Sequence, residues 1–120
     1  MYHKITLIGY LGSDPERRLV QGGNLTVTNF SMAVKYSKDK TMWVRVSVFG
    51  KQADACFEYL HKGSLVHVDG ELSPDKDTSE PRVWITQDGK PRASWEVRAN
   101  NVTFLGKSGS SNDEQKEIPF

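Results

Sequence analysis

Residues 43–49, WVRVSVF, alternate strictly between valine and larger or polar side chains. In an extended strand, successive side chains point to opposite faces. Val44, Val46 and Val48 therefore form one side, suited to a core. Trp43, Arg45, Ser47 and Phe49 form the other. A similar period runs through residues 25–36 after a mixed start. Val27, Asn29, Ser31, Ala33 and Lys35 share one parity, and Phe30, Met32, Val34 and Tyr36 the other. Residues 3–12 read as a first strand with a bend or bulge near Gly9. SDPERR (13–18) and QGGN (21–24) read as turns, SKDK (37–40) as a polar, basic loop.

The period changes at 51–63. Ala53, Cys56, Phe57 and Leu60 fall at i, i+3, i+4 and i+7, one helical stripe, with Gly63 as the stop. Residues 64–73 return to strand, and PDKDTSEP (74–81) is a polar loop. Residues 82–106 read as a hairpin around Asp88-Gly89 followed by a long last strand. A two-residue turn there would put Arg82, Trp84 and Trp95 on one face. Pro91 leaves the register open, and a slip of one residue separates the two indoles. Residues 107–117 hold no apolar side chain and are expected to be disordered. The organisation is thus a domain over 1–106 and a flexible tail over 107–120. The order strand, strand, strand, helix, strand, strand predicts an all-β fold. It is that of a five-stranded OB-fold barrel with one helix between strands 3 and 4. Another small β-barrel with one helix fits the same order.

Composition narrows the picture further. A chain of 120 residues with 10% aromatic and 26% charged side chains suits one globular domain plus a tail. No apolar run approaches the roughly 18 residues needed to span a bilayer, and the N-terminal stretch lacks the long apolar segment of a signal peptide. The single cysteine, Cys56, has no disulfide or CxxC partner. A reducing, cytoplasmic setting and a small buried hydrophobe are the expectations. Net charge is only +1, and residues 1–106 carry 14 Lys/Arg against 12 Asp/Glu. A polyanion would have to be held by local cations and stacking rather than by bulk charge. His3, His61 and His67 are scattered, no metal-ligand spacing occurs, and no serine sits in a nucleophile elbow. Binding is expected rather than catalysis, with no cofactor or metal.

In an OB barrel, the outer face of strands two and three and the adjoining loops bind oligonucleotides or sugars. Trp43 and Phe49, flanking Arg45, would lie there. Bases have π-faces, and each base stacked on an aromatic side chain is worth about 1–3 kcal/mol. Periodicity alone equally allows both rings to bury against a partner subunit or a covering loop. Tyr36 beside Lys35, Lys38 and Lys40, and Trp84 beside Arg82 in an arm that also carries Lys90, Arg92 and Arg98, favour nucleic acid. Trp95 is expected in the core or packed between the arms.

The chain resembles the bacterial single-stranded DNA-binding protein family, whose members are OB-fold proteins that coat unwound DNA. The likeness is carried by HKITLIGYLGSDPERR, NFSMAV, MWVRVSVFGKQAD, EYLHKGSLVHVDGEL and VTFLG, in order and at family spacing over about residues 3–106. The resemblance implies stacking by Trp43, Phe49 and Trp84, and by Tyr36 in a loop shorter than usual. It implies backbone contacts from Arg45, Lys35, Lys62, Arg82 and Lys4. Tyr10 replaces a commonly polar residue and reads either as an added platform or as a subunit contact. The resemblance also implies a homotetramer. Val44 stands where relatives often have a histidine near subunit contacts. The family's acidic tail ends in an apolar tip that recruits replication and repair proteins, and Glu117, Ile118, Pro119 and Phe120 match it. Lys116 and the short linker depart from that pattern. The resemblance implies a role in replication, recombination and repair, in the bacterial cytoplasm at the nucleoid. An OB-fold adaptor whose aromatic face binds protein is the rival reading.

Overall fold

The computed structural model describes residues 1–20 and 25–106. The expected turn at 21–24 and the tail over 107–120 lie outside the described residues. The elements run β1 (Ile5–Leu11), β2 (Glu16–Val20), β3 (Leu25–Ser37), β4 (Lys40–Phe49), α1 (Lys51–Tyr59), β5 (Leu65–Leu72), β6 (Arg82–Ile85) and β7 (Pro91–Gly106).

Five of these strands close a barrel in the order β1-β5-β7-β4-β3, sealed by pairing of β1 with β3. All the barrel pairings are antiparallel except β4 with β7, which is parallel. The short strands are extensions, β2 on the free side of β3 and β6 on β7. Counted over all strands, the helix lies between the fourth and fifth rather than the third and fourth. The extra strand is β2, because Glu16, Arg17 and Arg18, expected in a turn, pair with Asn29, Thr28 and Val27.

Alternation in β3 and β4 decides what fills the barrel. Phe30, Met32, Val44, Val46 and Val48 point inward and meet Leu7, Leu11, Val66, Val68 and Val97. Val44 is 2% exposed, so it is a core residue of the single chain. The helix adds Ala53, Cys56 and Leu60 to this core. It is tied to the wall by Thr28, whose buried hydroxyl donates to the Ala53 carbonyl at 2.7 Å. Gln52 completes the attachment by accepting from the Val102 amide at 3.0 Å.

Three local expectations change. The β1–β5 ladder passes Gly9 without a bulge. Glycine is required there because a Cβ would overlap the carbonyl oxygen of Ala33 as β3 closes the barrel. The helix ends at Tyr59, since Leu60 turns extended to bury its side chain, and Gly63 belongs to the following turn. Phe57, expected on the buried stripe, is instead exposed beneath the Arg17 guanidinium, 4.6 Å from the ring centroid. Cys56 is buried as expected, and burial pushes its thiol up to about 11.

Candidate nucleic-acid interface

The polar parity of β4 faces outward. Trp43 is 56% exposed and Arg45 is exposed, while Ser47 and Phe49 are half-buried. Cross-strand pairing sets their neighbours. Trp43 lies opposite Ala33, Arg45 opposite Ser31, and Ser47 opposite Asn29, to which it donates a hydrogen bond of 2.7 Å. Ala33 also lies opposite Tyr10 of β1, so two exposed rings flank one small side chain across three strands. At about 3.3 Å per residue, Trp43 and Phe49 stand roughly 20 Å apart along the strand. That length offers room for several bases.

Trp43 is seated by Gly12. A Cβ at that position would overlap the indole Cζ3, so only glycine leaves space for the ring where it lies. The Gly12 amide donates to the Ser31 carbonyl at 2.9 Å, which fixes the end of β1 against β3.

The arm formed by β6 and the start of β7 supplies the second wall. Its turn is longer by one residue than a two-residue Asp-Gly hairpin. Thr86 and Lys90 close it, with the Gly89 amide donating to the Thr86 carbonyl at 2.9 Å and the Thr86 amide to the Lys90 carbonyl at 2.9 Å. Gly89 has φ +81°, a left-handed conformation that favours glycine. This extra residue sets Trp84 opposite Arg92 and Arg82 opposite Ser94. Trp84 thus shares a face with Arg82 and Ser94, and Trp95 falls on the other. Trp95 is 57% exposed and so not a core residue.

A groove of about 560 Å³ lies between β4 and the arm. Trp43 and Arg45 line it from β4, Arg82 and Trp84 from β6, and Ser94 and Glu96 from β7. Glu96 sits opposite Arg45 and carries an ion pair of 3.9 Å with Arg82. Its carboxylate also accepts from the Ser94 hydroxyl at 2.7 Å. Two guanidinium groups against one carboxylate leave the groove positive.

The other expected residues are placed differently. Lys35 is exposed on the outer face of β3, two residues from Ala33. Tyr36 is 65% exposed at an irregularity where the ladder shifts between Lys35 and Ser37. The β3–β4 connection is tighter than the polar loop expected, since Ser37 pairs with Lys40. Lys62 is exposed in the turn before β5, and its amide donates to Asp14 at 2.8 Å. Lys4 precedes β1, two strands removed from β4 in the sheet, and pairs with Asp69 at 3.9 Å. It is not brought to the groove. Alternation in the sequence had no means of marking Gly12, Ser94 or Glu96, because their places depend on pairings between distant segments. Among the described residues, no group of three or more His, Cys, Asp or Glu could hold a metal ion, and no helix is long and apolar enough to cross a membrane.

Residues 2–105 match the model of the single-strand binding protein family. The chain belongs to that family. It is 36% identical over 115 residues to a single-stranded DNA-binding protein of Xanthomonas campestris pv. campestris, covering 89% of this chain and 62% of that one. It is 38% identical over 112 residues to a single-stranded DNA-binding protein of Xylella fastidiosa, covering 87% and 63%. A single-stranded DNA-binding protein of Chlamydia muridarum is 37% identical over 113 residues, covering 92% and 66%. The chain thus spans a little under two thirds of the length of these curated relatives. In this single-strand binding protein family member, the matched residues include both walls of the groove.

Proposed function

We propose that this chain binds single-stranded DNA with little sequence preference, by stacking bases and neutralising phosphates. The observation that carries the reading is the groove that faces Trp43 and Trp84 with Arg45 and Arg82. Exposing two indoles to water has no folding benefit, whereas flat rings beside guanidinium groups suit unpaired bases of any identity. Phe49 and Tyr36 extend the stacking path along β4 and the β3–β4 hairpin. Lys35 and Lys62 hold backbone further out, and Lys4 lies outside this path. Tyr10, in line with Trp43 across Ala33, adds a platform. The action is passive rather than enzymatic: the strand is kept unpaired.

In the cell this corresponds to protecting single strands during replication, recombination and repair, in the bacterial cytoplasm. The family resemblance supports a homotetramer. It also supports recruitment of partner proteins by Glu117, Ile118, Pro119 and Phe120. An apolar tip with a free carboxylate suits a pocket rimmed by cations.

Titration with oligo(dT) tests the central point. Tryptophan fluorescence should be quenched, the affinity should fall for Trp43→Ala and for Trp84→Ala, and duplex of equal length should compete poorly. Absence of quenching, with Trp43 already shielded in the free oligomer, would instead favour a protein-binding adaptor. Light scattering during the same titration reports the oligomer.

A further inference from the structure

Phe49 does not offer a bare ring. Arg98, on β7 beside Ser47 in the parallel pairing, extends over it, with Cζ 4.6 Å from the ring centroid. Arg98 is exposed and Phe49 half-buried. The nearest acidic residue in register is Glu71 on β5. Among the described residues, however, Arg98 forms no ion pair within 4.0 Å. Its place is set by the ring rather than by a carboxylate.

The other arginine that lies over a ring shows the contrast. Arg17 stands at the same 4.6 Å from Phe57, but it also meets Asp54 at 3.6 Å, so its charge is already answered. A guanidinium is planar, carries five N–H donors around its edge and stacks on aromatic faces. One face of Arg98 rests on Phe49. The opposite face and the edge donors remain for a ligand.

We propose that Arg98 is a DNA-contacting residue, forming with Phe49 a two-tier platform. A base lies on the guanidinium, the phenyl ring supports it from beneath, and an N–H edge reaches the neighbouring phosphate. Proteins do stack nucleobases on arginine planes as well as on aromatic rings. The inference rests on the DNA-binding reading above and changes what a base meets at this end of β4. The competing arrangement is that a base evicts Arg98 and takes its place on Phe49.

Binding of labelled oligo(dT) to the full chain over a range of salt distinguishes the two. Arg98→Ala should weaken binding at least about 5-fold and flatten the slope of log affinity against log salt by about 0.7, the value for one phosphate contact on a single strand. Arg98→Lys should keep the salt slope yet still bind more weakly than the parent, since the charge remains and the plane is lost. Phe49→Ala added to Arg98→Ala should cost little more, because the pair acts as a unit. Arg17→Ala, which also removes a ring-stacked surface arginine, should bind as the parent does. Thermal unfolding of each variant separates loss of binding from loss of fold. Unchanged or tighter binding by Arg98→Ala, while Trp43→Ala and Trp84→Ala still weaken it, overturns the platform alone. If none of these three variants weakens binding, the DNA reading fails and the platform with it.

Discussion

Gly12→Ala tests whether the seat of Trp43 controls binding without altering any group expected to touch DNA. The new Cβ would overlap Cζ3 of the indole and stand 3.0 Å from Cη2 and 3.4 Å from Cε3. Carbon atoms relax to about 3.5–4.0 Å, so the ring edge must withdraw by roughly 1 Å. Trp43 has solvent on its other side, so the ring moves and the backbone stays. Unfolding free energy should change by no more than about 1 kcal/mol, the lower end for overpacking. A stacked base contributes about 1–3 kcal/mol. A tilted ring loses part of that, so a cost of about 1 kcal/mol, or roughly 5-fold in affinity, is expected. The assay is oligo(dT) titration of the parent, Gly12→Ala, Trp43→Ala and the double variant. With alanine at 43 the Cβ at 12 has nothing to strike, so the double variant should bind like Trp43→Ala alone. Residues in contact are where such non-additivity is found. The reasoning is refuted if Gly12→Ala costs the same 5-fold in both backgrounds.

Three further outcomes follow from other parts of the molecule. Glu96→Gln removes the only carboxylate among the residues described as lining the groove. It should tighten oligo(dT) binding about 2- to 5-fold at low salt, with the gain shrinking as salt screens the groove; weaker binding would contradict the electrostatic picture. Thr28→Val deletes the buried 2.7 Å bond that ties the helix to β3, and denaturant unfolding should show a loss of about 1 kcal/mol with DNA affinity unchanged. Cys56 has its thiol raised from 9.0 to about 11 by burial, so the folded state holds the proton that the unfolded chain releases above pH 9. Stability should therefore be unaffected by this group below pH 9. It should decline by about 2–3 kcal/mol as pH rises to 11, and Cys56→Ala should lack that decline in pH-dependent unfolding.

The part of the interface that lies on one strand was readable from alternation. Trp43 and Arg45 face outward and Val44, Val46 and Val48 inward because the side-chain period is two and β4 runs without a bulge through those residues. What crosses between strands was not readable. The parallel pairing that sets Arg98 beside Ser47, and so over Phe49, joins residues about fifty positions apart. The arm depended on one residue of turn geometry. Asp88-Gly89 fits a two-residue hairpin, yet the left-handed Gly89 closes a longer loop and sends Trp95 to the opposite face from Trp84. Phe57 had helical spacing for the core, but the helix buries Ala53 and Cys56 and leaves Phe57 at the surface, where Arg17 covers its ring.

The parallel seam between β4 and β7 also bears on how the protein is made. β7 pairs with β4, β5 and β6, and it is a stave of the barrel as well as half of the arm. A ribosome adding about 5–20 residues per second therefore releases β1 to β5 seconds before the strand that completes them. Until then the valine-rich inner faces of β4 and β5 lack their common neighbour. Over that interval the nascent chain carries apolar strand faces without a partner, and the groove between β4 and the arm comes into being in a single late step rather than strand by strand.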